Sequence, residues 1–492
     1  MDVLYERWLD HLLTVADTSP IDVLQPAADA LRQQPDHPRA IFLMGYLMLK
    51  TEQPSVAYQL YRRVAEIAPD KAPAWNNLAK ACQEMCRYDQ AREYLWRVLA
   101  LDPGDAAGLQ NMGVVALNRA EPEEAIKLCR LAEQLDRDLF VQARDTISLA
   151  NLALGHWGEG WDDFDTSLGG KYRKRKIYGP RVRDWGGPAP EEYPDAGASV
   201  VINANGAVEK IQPWLIVYGE QGIGDEIFFG SMIPDLNDGK RNVVIDCDER
   251  LAGLFRRSFP WAKVAGTRRN ESPPWFDAAG EYVRVAMGSL GKWFRRTESS
   301  WPGTPFLKPD PMRTFQWQAL FRAGKHKPVI GIGWTGGKPA TGSADKSMSL
   351  DDLRPLFAAF PDAQFVSLEY KPVAAEVAQW ANDNKISLVH FPWATETQDY
   401  DNTAALTAAC DVVVSVMTSG AHLAAAMGKP TIMMLPTRPQ PEWRYHGRAE
   451  RVPYYKAMRL VRQTKTGEWS DVVANVAAQV GAIVNGGLRE AA

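Results

Sequence analysis

Pro69-Asp-Lys-Ala-Pro-Ala-Trp75-Asn-Asn77-Leu78-Ala79, continued by Ala91, Leu95 and Pro103, is not a solitary stretch: its pattern returns 34 residues away on either side. Pro35, Pro69 and Pro103 keep that interval, as do Ala57, Ala91 and Ala125, and Gly45, Ala79 and Gly113. Apolar positions follow in step: Ile41, Trp75 and Leu109; Met44, Leu78 and Met112; Tyr61, Leu95 and Cys129. A fixed period of this length marks stacked helical hairpins. The small residues let two helices approach closely, and each proline ends the second helix of a unit because its ring and missing N–H cannot continue one. Three full units are expected over 38–139. A weaker half-unit precedes them at 4–37, and an irregular one follows around His156-Trp157-Gly158-Glu159-Gly160-Trp161. Such a stack buries its core only between neighbours and offers a concave surface.

The period and its residues resemble the tetratricopeptide repeat. Asn77 and Asn111, 34 apart, share one position on the first helix of successive units. A carboxamide both donates and accepts, so the two predict a ladder for an extended polypeptide acceptor. Similar asparagines do this in the O-linked N-acetylglucosamine transferases, which this chain resembles in layout. The competing reading is a polar residue facing solvent beside a core leucine, and Leu43 takes the place of a third rung.

The chain's 492 residues at 46% hydrophobic suffice for several cores, about three at roughly 150 residues per domain. Lys plus Arg is 56, Asp plus Glu is 60, and the formal net charge is −4. That balance gives no global electrostatic case for nucleic acid or an anionic membrane as partner. No uncharged apolar stretch reaches the ~18 residues that cross a bilayer. Met1-Asp-Val-Leu-Tyr-Glu-Arg7 carries no export signal. Cys82, Cys86, Cys129, Cys247 and Cys410, with seven scattered histidines, form neither a disulfide framework nor a zinc pattern. A cytoplasmic protein with free thiols is expected.

Lys171, Arg173, Lys174, Arg175 and Lys176 form the densest charge run. A solvated connector is the expected reading; a patch for phosphate or lipid headgroups is the alternative. Gly186-Gly187-Pro188-Ala189-Pro190 and Asn203-Ala204-Asn205-Gly206 mark a loop-rich boundary. The division that follows is a helical repeat domain over 1–170, a linker over 171–205, and α/β domains over 206–325 and 326–492.

In the first α/β half, the β-rich run Trp214-Leu-Ile-Val-Tyr218 precedes a glycine loop and a helical stretch at 227–236. Strands at 242–246 and 262–265 flank a helix at 249–259. In the second half, strands are expected at 328–334, 364–368, 386–390, 411–415 and 430–435. Helices are expected there at 349–360, 372–383, 403–410, 419–427 and 469–484. This alternation predicts parallel sheets covered by helices on both faces. Two such halves imply a cleft at the carboxyl ends of their strands.

Candidate chemistry gathers on that edge. In Gly219-Glu-Gln-Gly222-Ile-Gly224-Asp225, glycines allow a ligand near the backbone and the helix start favours anions. The loop is neither a GxGxxG nor a Walker motif, and Asp225 reads equally as a helix cap or a catalytic carboxylate. Met417-Thr418-Ser419-Gly420-Ala421-His422 holds the matching place in the second half. Its hydroxyls and first-turn N–H groups suit a diphosphate. His422, one turn in, is placed to donate a hydrogen bond; the plain alternative is a packed helix residue. The small, polar loop from Thr335 to Ser347 brings Lys338 and Lys346. Lys346 is a candidate to neutralise phosphate, and Glu369, ending a strand on the same edge, to receive a sugar or base hydroxyl.

Taken together, the 219–225 loop, the lysine loop, Asp411-Val-Val-Val-Ser-Val-Met-Thr-Ser-Gly-Ala-His422 and Gly428-Lys-Pro430 resemble the heptosyltransferase-like (family 9) glycosyltransferases. More closely, the chain resembles bacterial proteins with tetratricopeptide repeats before such a domain. The resemblance implies an α plus α/β chain, a repeat solenoid followed by the GT-B pair of Rossmann-like doubly wound domains. It further implies an inverting enzyme that takes a nucleotide-diphospho-sugar as co-substrate, with no metal or other cofactor. Asp225 matches the general base, Lys346 the lysine that offsets leaving-group charge, and Thr418 and His422 the phosphate motif. Gly222, Gly224, Thr335, Glu369, Ser419 and Gly420 complete the implied donor site. The repeats would recruit a protein or glycan acceptor, with self-association through them a further possibility. A repeat scaffold with a degenerate nucleotide-sugar domain is the rival reading. One position departs from the family: Met417 stands where its phosphate motif carries an acid, and a thioether cannot receive a hydroxyl.

Overall fold

The computed structural model describes residues 2–170, 173–188, 199–202, 208–239, 241–322, 327–337, 343–397, 399–437, 443–445, 447 and 449–486. Nine helices come first: α1 (Asp2–Thr18), α2 (Pro20–Gln33), α3 (Pro38–Lys50), α4 (Pro54–Ile67), α5 (Ala72–Glu84), α6 (Tyr88–Leu101), α7 (Ala106–Asn118), α8 (Pro122–Leu135) and α9 (Phe140–Ala153). Prolines open α2, α3, α4 and α8, where a missing N–H costs nothing because the first turn has no intrahelical acceptor for it. Asp105 caps α7 by accepting from the Gly108 N–H at 2.6 Å.

The 34-residue register explains the packing inside each hairpin. A Cβ on Gly45 would sit 3.0 Å from the Tyr61 ring, and one on Gly113 would sit 2.4 Å from Cys129 Sγ. The partner of each small residue is thus the apolar position of the same unit's second helix. A further repeat lies in the turns. Glu52, Cys86 and Ala120, also 34 apart, all take φ near +60°. Each is followed by an N–H that reaches back to close the helix: Gln53 to Met48 O (2.7 Å), Arg87 to Cys82 O (2.8 Å), Glu121 to Ala116 O (2.9 Å). This left-handed termination usually falls to glycine.

The helical unit ends at Leu154, and the chain from Gly155 belongs to a second compact unit. The sequence placed 155–170 in the repeat domain. The aromatic residues there account for the different grouping: Trp157 of α10 (Trp157–Asp163) meets Trp301, and Trp161 meets Phe164, Phe229 and Trp443.

Two parallel sheets build this second unit. The first orders β1 (Arg183–Asp184), β7 (Tyr282–Ala286), β4 (Trp214–Tyr218), β5 (Val243–Asp246) and β6 (Lys263–Ala265), every pair parallel. A small antiparallel pair, β2 (Ser199–Ile202) and β3 (Val208–Ile211), stands apart from it. The second sheet orders β10 (Leu388–His390), β9 (Gln364–Ser367), β8 (Val329–Gly333), β11 (Val412–Val416), β12 (Thr431–Leu435), β14 (Tyr455–Arg462) and β13 (Arg451–Val452), with β13 antiparallel. Helices α11 (Ile223–Phe229), α12 (Ala252–Ser258), α13 (Gly291–Phe294), α14 (Pro311–Arg322), α15 (Ser343–Lys346), α16 (Arg354–Ala359) and α17 (Ala374–Asn384) alternate with the strands. So do α18 (Pro392–Thr395), α19 (Tyr400–Ala409), α20 (Ser419–Ala426) and α21 (Ser470–Val484).

Both faces of the second sheet are covered. Ile330, Ile332, Val412, Val414 and Val416 point to α21 through Val472, Val473, Val476 and Val480. Val329 and Val413 point the other way, onto Trp317, Leu406 and Ala409. Central strands buried on both sides read as continuous apolar runs, as here. In each sheet the winding reverses once, between β4 and β7 and between β8 and β11. Ligands of open α/β sheets bind beyond the strand ends at such reversals. The loops after β4 and β11 lie there.

Candidate functional site

The loop after β4 is held by three carboxylates with different tasks. Glu220, 3% exposed, accepts from Arg173 Nη2 at 3.2 Å and from the Gly288 N–H at 3.0 Å. Glu226 is equally interior: Oε2 accepts from the Asp248 N–H at 2.8 Å, and Oε1 lies 2.7 Å from Arg268 Nε. Burial pushes its carboxyl up to about 8, although the Arg268 charge pulls the other way. Gly219 is obligatory beside it, since a Cβ would fall 2.2 Å from Oε1. Only Asp225 keeps substantial access, its side chain 27% exposed. Its Oδ2 accepts from the Gly222 N–H at 3.2 Å, a cap of α11, while Oδ1 accepts from Arg444 Nη2 at 2.7 Å.

The loop after β11 meets it directly. A Cβ on Gly224 would lie 3.4 Å from Ser419 Cα and Cβ, so α11 and α20 approach with their first turns together. Thr418 caps α20, accepting from the Ala421 N–H at 3.4 Å and sharing a hydrogen bond with Ser415 Oγ at 3.0 Å. Gly420 follows in the same first turn of α20.

His422 departs from the role drawn for it. Its Nε2 meets Tyr445 Oη at 2.6 Å and its Nδ1 meets Tyr455 Oη at 3.2 Å, so both ring nitrogens are engaged inside the protein. Burial depresses its pKa to about 3, and the nearby Arg444 charge adds to the effect. The imidazole is neutral at working pH, and the packed-residue reading describes it in this structure.

Glu369 differs from expectation as well. At 2% exposure it ties down the β8 loop, accepting from the Trp334 N–H (2.6 Å), the Thr335 N–H (2.8 Å) and the Thr335 hydroxyl. Glu369 and the Thr335 hydroxyl together shape the loop. Lys346 stays compatible with its expected role. It is 9% exposed, and a Cβ on Gly336 would lie 3.2 Å from Lys346 Cβ and 3.3 Å from Met417 O. Gly336 therefore joins the lysine to the α20 loop. No described residue pairs with its ammonium. The expected loop residues 338–342 lie outside the described residues.

In the helical array, Asn111 Nδ2 donates to Asn76 Oδ1 at 2.8 Å, and Asn77 Nδ2 donates to Pro73 O at 3.0 Å. Both asparagines are half-buried. The interhelix contact runs from Asn111 to Asn76, one position away from the predicted rung. Sequence reasoning missed Arg444, Tyr445, Tyr454 and Tyr455. Arg444 lies over the rings of Phe228, Phe229 and Trp443 at 4.5–5.3 Å, and its carbonyl accepts from the Tyr454 hydroxyl. No local motif marks them, because they meet the site only through the fold. Among the described residues no three His, Cys, Asp or Glu side chains converge to hold a metal ion. Nor is any helix there long and apolar enough to cross a membrane.

Residues 49–111 match the tetratricopeptide repeat family model. The N-terminal array is a tetratricopeptide-repeat region. Protein FlbA of Caulobacter vibrioides is 26% identical over 524 aligned residues, spanning 95% of this chain and 83% of that protein. Among solved structures, a thermophilic TPR protein of Thermus thermophilus is 18% identical (TM-score 0.31; 33% of this chain, 90% of that one). Pseudomonas aeruginosa pilF is 17% identical (TM-score 0.30; 35% of this chain, 79% of that one). A repeat region of this kind is a protein-interaction surface.

Proposed function

We propose that this chain is an inverting glycosyltransferase of GT-B type, which moves a sugar from a nucleotide-diphospho-sugar onto an acceptor recruited by the tetratricopeptide repeats. One observation carries the proposal: the loops at the two sheet reversals converge, Gly224 against Ser419, beside a buried lysine, Lys346, that has no acidic partner among the described residues. Asp225 takes the proton of the acceptor hydroxyl, whose oxygen then bonds to the anomeric carbon. The bond from that carbon to the diphosphate oxygen breaks, and the nucleoside diphosphate leaves with the electron pair. Lys346 and the first-turn N–H groups of α20 offset its charge. Asp225 must first exchange Arg444 for the acceptor, since the arginine occupies Oδ1.

A panel of nucleotide sugars tests this by release of nucleoside diphosphate. Release is expected from one donor, falling about 100-fold or more in Asp225→Ala. The second reading, a repeat scaffold whose domain binds a nucleotide sugar without turnover, draws on three features. They are Met417 in the phosphate motif, the Asp225–Arg444 pair, and His422 closed between two tyrosines. Donor binding without release in the unmodified protein would decide for the scaffold.

A further inference from the structure

The basic run 173–176 does not behave as a solvated connector. Arg173 is 3% exposed and reaches Asp165 (3.3 Å), Glu220 (3.2 Å) and the Ser289 hydroxyl (3.3 Å). Lys176 Nζ is fixed by Asp246 at 2.6 Å and the Thr267 carbonyl at 2.7 Å. These anchors lay the run along the carboxyl ends of the first sheet. There Lys174, Arg175 and Lys176 line a cavity of about 700 Å³ with Gly219–Gln221 and residues 268–271. That volume falls within the roughly 300–1,000 Å³ of small-molecule sites.

The charge on the wall is lopsided. Five cations line it, Lys174, Arg175, Lys176, Arg268 and Arg269, against two acids, Glu220 and Glu271, and Glu220 is consumed by Arg173. Ion pairs hold three cations in place, one of them Arg175, 2.6 Å from Asp184. Arg268 is braced by Asp248 and the Gln221 carbonyl, and Lys176 by Asp246. Two others keep charge to give. Lys174 has no acidic partner among the described residues, and Arg269 touches Asp248 through one nitrogen while its side chain is 73% exposed.

We propose that this cavity binds a phosphate-bearing anion. Converging arginine and lysine heads match a tetrahedral, doubly charged oxyanion in charge and donor geometry. The volume of about 700 Å³ suits a small group. The cavity shares Gly219–Gln221 with the loop that leads to Asp225 but takes no residue from the α20 loop, so its anion site is separate from the donor site proposed there.

The test uses the full chain carrying Lys346→Ala, which removes the lysine of the proposed donor loop, and titrates inorganic pyrophosphate calorimetrically at low salt. Binding is expected, weakening as ionic strength rises, and falling about tenfold or more on adding Lys174→Glu with Arg269→Glu. Both are surface side chains, and Asp248 keeps Arg250 and Arg268, so circular dichroism should be unchanged. Vesicles of phosphatidic acid distinguish the source of phosphate. Capture that pyrophosphate displaces supports a lipid headgroup, whereas pyrophosphate binding without capture supports a soluble ligand. The proposal falls if pyrophosphate does not bind, if binding disappears with Lys346→Ala alone, or if the charge reversals leave it unchanged. It also falls if a polyglutamate peptide binds in a manner sensitive to those reversals and pyrophosphate does not.

Discussion

His422 and Glu226 are displaced in opposite directions by the same cause, burial, and their effects on stability therefore oppose. His422 goes from 6.5 to about 3, so between those values the unfolded chain holds a proton the folded one lacks. Stability from this group rises with pH there and is complete above about 6.5. Glu226 goes from 4.5 to about 8. Between those values the folded chain holds the extra proton, and stability falls as pH rises. From about 4.5 to 6.5 the two slopes cancel, and above 6.5 only the decline remains, at about 1.4 kcal/mol per pH unit for one proton. Urea unfolding between pH 6.5 and 8 should show a shallower decline in Glu226→Gln than in the unmodified protein. An identical decline would mean that Glu226 ionises normally and that Arg268 outweighs burial.

A repeat unit shows how one residue type is right in one place and wrong a turn later. At Gly113, alanine would gain about 1 kcal/mol of helix propensity, but its Cβ meets Cys129 Sγ at 2.4 Å and the Ala125 carbonyl at 3.2 Å. Overpacking of this kind costs about 1–3 kcal/mol, so Gly113→Ala should destabilise. At Ala120 the exchange runs the other way. The φ of +61° burdens an L side chain by roughly 1 kcal/mol, so Ala120→Gly should stabilise the array by about that amount and raise its melting temperature. Calorimetric melting of both variants checks the pair; equal signs would refute the packing account. The elements themselves were legible to different degrees. Spacing of Gly45, Ala79 and Gly113 revealed the helix hairpins because close approach demands small residues. The central strands β4, β8, β11 and β12 were visible because two-sided burial makes them continuously apolar. β7 and β14 were not read: Arg284 interrupts the first and pairs with Asp184, while Lys456, Arg459 and Arg462 interrupt the second. The positive turn residues Glu52, Cys86 and Ala120 escaped because none is glycine.

At the scale of the chain, sequence periodicity located two kinds of structure but not their boundary, since α10 has helical spacing yet packs its tryptophans with the α/β unit. The candidate site was legible as loops, not as chemistry. The loops that carry Asp225 and Ser419 meet, Gly224 against Ser419, whereas Glu369 and His422 are internal supports that only tertiary contacts identify. The boundary at Leu154 yields a sharp expectation for the proposed function. The second unit has its own buried clusters, centred on Val414, Val413 and Ile216, so residues 155–492 should fold when produced alone. Under the proposal this piece retains slow nucleoside diphosphate release to water, because donor and base lie within it. Transfer to a large acceptor should fall by about tenfold or more, since docking on the repeats supplies the effective concentration of the acceptor hydroxyl. Supplying residues 1–154 as a separate chain should not restore it, because a detached docking surface no longer tethers the acceptor to the site. Undiminished transfer by 155–492 would show that the repeats serve another partner, while loss of both reactions in a folded piece would place part of the chemistry in the array.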